Sequence, residues 1–199
     1  MVKKLFLMLF TVVISNSIMA TTVTKTTSEL VDENNWTISV NSNIGTLATN
    51  FQLDENVTVS TTGEANCGSI WGTSPDCEWR IYQNKSGNVT ITVSSGKITN
   101  IKLGFKYKNG GCLLDESNNQ LKSNTDFEVN ANSVTFTIGN TGSETNGQIK
   151  ITSFSVTYET VGTDINNTQL VKSPVKQFDG KQIVIIRNNE KYGISGQRL

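Results

Sequence analysis

Four residues near the middle of the chain have side chains suited to ligand contact: Trp71, Trp79, Arg80 and Tyr82. Trp71 lies in a Gly-rich irregular stretch, GEANCGSIWGTSPDCEW at 63–79, and the other three begin the run WRIYQ. An aromatic face stacks on a sugar ring, so a loop-borne Trp at the end of a β-sandwich is a candidate glycan platform. Trp79 adjoins a strand and has core packing as its competing role. Arg80 faces away from Trp79 and Ile81. Its guanidinium can pair with Glu78 or Asp76, or stack on an aromatic ring, and the ion pair is the preferred reading.

Other chemistry is sparsely represented. The chain has no His, which removes His-based acid–base catalysis, the usual hydrolase triads and His zinc ligands together. No nucleophile elbow, phosphate loop or dinucleotide fingerprint occurs. Asp54-Glu55-Asn56 and Asp115-Glu116 carry oxygens of the kind Ca²⁺ uses, but without EF-hand spacing. Turn positions suit them better, and neither a metal nor another cofactor is expected. The three cysteines, Cys67, Cys77 and Cys112, allow one bridge; the short loop between Cys67 and Cys77 makes them the candidate pair, against three free thiols. Lys102, Lys106 and Lys108 share one strand face. They suit either an anionic polysaccharide or the protection of an edge strand from aggregation, and the second is favoured.

The elements that position these residues are β-strands. Val89, Ile91 and Val93 alternate with Asn88, Thr90 and Thr92, the period-2 pattern of a half-buried strand. Ser94-Ser95-Gly96 supplies a turn. The next strand places Ile101, Leu103, Phe105 and Tyr107 on one face. Further strands are expected at 36–40, 50–53, 56–61, 112–114, 132–139 and 148–159. In KITNIKLGFKY (97–107) and KITSFSVTY (150–158) the apolar parity switches across a Thr, which predicts a β-bulge or a bend in each. No helical period is evident after residue 20. The fold class is therefore all-β, a two-sheet antiparallel sandwich of jelly-roll type with a short C-terminal hairpin.

Residues 1–20 have the form of a secretory signal. Lys3 and Lys4 precede the apolar run Leu5 to Ile14, and Ala20 is the expected cleavage point. That run is too short to span a bilayer, so the mature chain is expected to have no transmembrane span. Residues 21–35 read as a mobile leader, 36–159 as the sandwich, 160–178 as a linker and 179–199 as the hairpin tail. Lys plus Arg and Asp plus Glu each number 17. A balanced chain lacks the basic excess of a nucleic-acid binder.

The run WRIYQ…GNVTITVSSGKITNIKLGFKY…NSVTFTIGNTG…NGQIKITSFSVTYE resembles a β-sandwich accessory module of secreted and surface proteins of Bacteroidetes-type bacteria. The Arg-x-Tyr strand at Arg80 and Tyr82 carries much of that resemblance. The tail is similar to short C-terminal segments of such proteins through Gly180, Ile183, Ile185, Tyr192, Gly196 and Gln197. Some of those tails act as sorting signals for export and surface attachment. The resemblance implies a secreted, cell-surface or periplasmic location and an export machinery that reads the tail. The leading expectation is a non-catalytic binding or adhesion module for a glycan or another surface protein. A structural accessory domain without a ligand is the alternative, and an extracellular glycoside hydrolase ranks third.

Overall fold

The computed structural model describes residues 18–143, 145–161, 175–178, 180, 182–187 and 190–199. They belong to two compact units, one spanning Ser17–Gly162 and the other containing Thr163–Leu199. The larger unit comprises β1 (Ile18–Thr26), α1 (Thr27–Asn34), β2 (Asn50–Gln52), β3 (Val57–Ser60), β4 (Ser69–Trp71), β5 (Glu78–Tyr82), β6 (Asn88–Val93), β7 (Lys97–Lys108), β8 (Gly111–Leu114), β9 (Phe127–Ala131), β10 (Ser133–Asn140) and β11 (Gln148–Val161).

Two antiparallel sheets form the sandwich. The first runs β4-β5-β11-β7-β9, with β1 also paired to β11; the second runs β2-β3-β6-β10-β8. Alternation builds the core between them. Val89 and Ile91 of β6, Phe136 of β10 and Ile149, Ile151, Phe154 and Val156 of β11 are fully buried, while the threonines between them line the outer surface. At the β6–β7 turn Gly96 has φ +85°, a conformation that suits a residue without Cβ.

The parity switches resolve as bulges. The β11–β7 register shifts between Ile151 and Ser153, and again between Thr157 and Tyr158. The inserted residues are tied back to the ladder: Thr152 Oγ1 donates to the Gly104 carbonyl at 3.1 Å, and Thr99 Oγ1 to the Thr157 carbonyl at 3.2 Å. Each bulge returns the next apolar residue to the core side. The apolar face of β7 does not hold to its end, however. Ile101 and Leu103 are buried, Phe105 is half-buried, and Tyr107 is 69% exposed, because the strand runs out past the core.

The expected mobile leader at 21–35 is instead ordered structure. β1 pairs along the second half of β11, from Ile18 opposite Val161 to Thr26 opposite Ser153. α1 follows through a capping box: Thr26 Oγ1 accepts from Glu29 N, and the Glu29 carboxylate accepts from Thr26 N at 2.7 Å. Asn35 ends the helix at φ 53°. Leu30 and Val31 enter the core. Thr27 Oγ1 donates to the Ile151 carbonyl at 2.9 Å, and Ser28 Oγ donates to the Pro75 carbonyl and accepts from Cys77 N. The sandwich therefore begins near residue 18 rather than at Trp36. Residues 36–40 contribute only isolated bridges at Ser39 and Val40. β4 arises in the stretch read as an irregular loop, and β9 where no strand was expected.

The smaller unit contains β12 (Val175–Phe178), β13 (Ile183–Arg187) and β14 (Glu190–Gly193), joined as an antiparallel sheet in that order. The expected hairpin is present with one more strand, and that strand lies within the segment read as linker. Ile185 of β13 pairs with Tyr192 of β14. Gly196, at φ +85°, donates its N–H to the Gly193 carbonyl, and Gly193 donates to the Gln197 carbonyl. Among the described residues no helix is long and apolar enough to cross a membrane. The expected basic and apolar runs of the export signal lie outside the described residues; Ala20 lies within β1.

Candidate functional site

The β4-β5-β11-β7 portion of the first sheet carries the candidate residues on its outer face. Register sets the arrangement. Ser69 pairs with Arg80, Arg80 with Lys150, and Lys150 with Lys106; two residues along, Tyr82 pairs with Gln148 and Gln148 with Lys108. Paired residues have Cα atoms about 4.5–5.5 Å apart, so neighbours within each row lie within side-chain reach of one another.

Trp79, a candidate ligand contact in the sequence, is not part of this face. It is fully buried, because on β5 it has the opposite parity to Arg80 and Tyr82. Its ring packs edge-on against Phe51 at 5.2 Å and tilted against Phe154 at 5.8 Å, and its indole N–H donates to the Ala48 carbonyl at 2.9 Å. Trp71 does belong to the outer face and is half-buried. The Arg80 guanidinium lies 4.5 Å from its ring centroid, and its indole N–H donates to Ser69 Oγ at 3.0 Å. Both expectations for Arg80 hold together: Nε also bonds Glu78 Oε2 at 2.9 Å. Glu78 holds Lys150 as well, at 3.2 Å. These charges are largely shielded, with side-chain exposures of 20% for Arg80, 19% for Lys150 and 13% for Glu78. Two cations clamped on one carboxylate fix the guanidinium against Trp71.

Beside this cluster is a depression of about 280 Å³, lined by Arg80, Tyr82, Asn84, Lys108, Asn109, Asn146 and Gln148. Gln148 is buried, Asn84 lies in the 3-10 turn Gln83–Lys85, and Asn109 and Asn146 sit on loops. The site thus offers partly exposed ring surface, amide donors and acceptors, and cations. Sequence reasoning missed Lys150 and Gln148, which lie on the last long strand, far from Arg80 in the chain. Their polar parity against Ile149 and Ile151 was the available signal.

The cysteines are not bridged. Extending the β4–β5 register puts Cys67 beside Tyr82, five residues from Cys77 along β5, or roughly 17 Å at about 3.4 Å per residue. A disulfide needs Cα atoms within about 7 Å. The Cys67 thiol instead donates to the Tyr82 carbonyl. Burial pushes the Cys67 and Cys112 thiols above their ordinary values.

The acidic runs serve turns. Asp54 accepts the backbone N–H groups of Asn56 and Val57 and the Tyr158 hydroxyl. Asp115 accepts from Ser117 N, Asn119 N and Asn119 Nδ2, and the Asn119 bonds hold its carboxyl below its ordinary value. A second depression of about 270 Å³ includes Asp115, Glu116 and Glu128. The depressed Asp115 carboxyl is the reverse of what a glycosidase general acid needs. Among the described residues no group of three or more acidic or cysteine side chains is placed to hold a metal.

Lys102 pairs with Asp126 at 3.2 Å. From Lys102 to Lys108 β7 pairs with β11, and at Leu103 and Phe105 its other side meets the 123–124 segment, where Phe105 N donates to Ser123 Oγ and Asn124 N to the Leu103 carbonyl. Comparison with protein-family models, with curated proteins and with solved structures returned no match.

Proposed function

We propose that this chain is an exported, surface-located, non-catalytic binding module that recognises glycan on the outer face of β4-β5-β11-β7. The observation that carries this reading is the Trp71–Arg80 stack, clamped by Glu78 and Lys150, beside an amide-lined depression containing Tyr82. A ring held in place loses little entropy when a sugar stacks on it, and side-chain amides match sugar hydroxyls as donors and acceptors. Export rests on the signal-like residues 1–20 and on the resemblance to surface modules. Cleavage after Ala20 is compatible with the fold. It would remove Ile18, Met19 and Ala20 from β1 and leave Thr21–Thr26 opposite Tyr158–Ser153. In this reading the 179–199 tail is a segment recognised by the sorting machinery.

A glycan array probed with the full-length chain and with Trp71→Ala tests the binding reading. Specific glycans retained by the wild type and lost by Trp71→Ala support it. An array blank for the wild type, or binding indifferent to Trp71→Ala, overturns it. Deleting 179–199 tests the tail: loss of surface retention supports sorting, and unchanged retention refutes it.

A further inference from the structure

We infer that the glycan taken by this face is acidic, a polysaccharide bearing carboxylate or sulfate groups, with Lys106 and Lys108 as the residues that select for charge. The inference rests on the glycan reading above and adds the ligand class. Arg80, Lys150 and Lys106 stand in one cross-strand row, and Lys108 stands in the next row beside Gln148. Like charges directly opposite on a sheet destabilise it, and one carboxylate, Glu78, serves Arg80 and Lys150. Among the described residues Lys106 and Lys108 have no carboxylate within ion-pair distance, whereas Lys102, on the same strand, is paired with Asp126. Both unpaired lysines are exposed, and Lys108 lines the depression with Arg80. Among the described residues lining that depression there is no carboxylate. A sheet face that places cations opposite one another and leaves their compensation incomplete departs from local consistency, and such departures mark functional sites. The missing counter-charge is what an acidic sugar supplies. The neighbouring Trp71 ring and the amides of Asn84, Asn109 and Asn146 supply the contacts that a bare anion would not use.

The test is a titration of the full-length chain against two backbone-matched pairs that differ in charge: polygalacturonate with its fully methyl-esterified form, and dextran sulfate with dextran. The two anionic arms distinguish carboxylate from sulfate as the source of charge. Expected is binding at least about tenfold tighter to a charged member than to its neutral partner, weakening as NaCl is raised, and falling about tenfold or more in Lys106→Ala/Lys108→Ala. Lys97→Ala, at the opposite end of β7, should leave it unchanged. Equal binding of charged and neutral forms would overturn the acidic-ligand inference while leaving the glycan reading intact. Loss of binding in Lys97→Ala equal to that in the double variant would reduce the effect to diffuse attraction and also overturn it. Failure of all four polymers, with a blank glycan array, would remove the glycan reading itself.

Discussion

Leu30→Ala probes whether the N-terminal segment is part of the sandwich. Leu30 is fully buried on α1, a helix of eight residues too short to persist without tertiary packing. The helix is held through Thr27 to β11 and through Ser28 to the loop before β5. These anchors limit its ability to collapse into the space left by the substitution. The cost should fall in the middle of the range for buried Leu→Ala, about 3–4 kcal/mol. For a chain of this size that lowers the thermal midpoint by roughly 6–16 °C. Urea unfolding with a shared slope measures the loss, with Val40→Ala, at a position 59% exposed, as a control expected within about 0.5 kcal/mol of wild type. A midpoint for Leu30→Ala equal to that of the control would mean that 18–34 does not dock, and the assignment of β1 and α1 to the fold would fail.

Two further outcomes follow from the same packing. All three cysteines should be alkylated in denaturant without reductant, and Cys67 should react slowly in the native protein; a Cys67–Cys77 peptide recovered without reduction would contradict the β4–β5 register. The Glu29 carboxyl is held below its ordinary value of 4.5, first by the Thr26 N–H and then by the Thr26 hydroxyl. A depressed carboxyl stabilises the fold above its unfolded-state value and loses that contribution as pH falls through the folded value. The stability gap between wild type and Glu29→Gln should therefore be full at about pH 6 and close as the pH falls through the depressed carboxyl value. A gap independent of pH would show that the capping box does not form.

The sandwich was legible because its central strands alternate strictly, and the two bulges because Ile98/Ile101 and Ile151/Phe154 cannot share one face of a regular strand. The N-terminal segment was hidden by composition. β1 is largely exposed, so its threonines carry little apolar alternation, and α1 is too short to establish a helical period. Its one clear mark was local, a Thr at 26 with a Glu three residues on. Trp79 could have been assigned to the core from parity alone, since Ile81 and Trp79 share a face and Arg80 and Tyr82 share the other. The Glu78–Lys150 contact could not, because it depends on β11 pairing beside β5, a long-range choice that no local pattern encodes. The same holds for the cysteines, whose nearness in sequence is undone by the hairpin register.

The central claim is that ligand is met on the outer face at Trp71 and not elsewhere on the sandwich. The most direct measurement is the ¹H–¹⁵N spectrum of the indole groups during titration with an oligosaccharide selected by the array. The chain has three Trp, and the Trp71 signal is assigned by its absence in Trp71→Ala. The Trp71 N–H, which bonds Ser69 Oγ, should shift progressively and saturate, together with the Arg80 Nε–H, while the buried Trp79 N–H on the Ala48 carbonyl stays in place. Saturable binding that leaves the Trp71 and Arg80 signals unmoved would contradict the account.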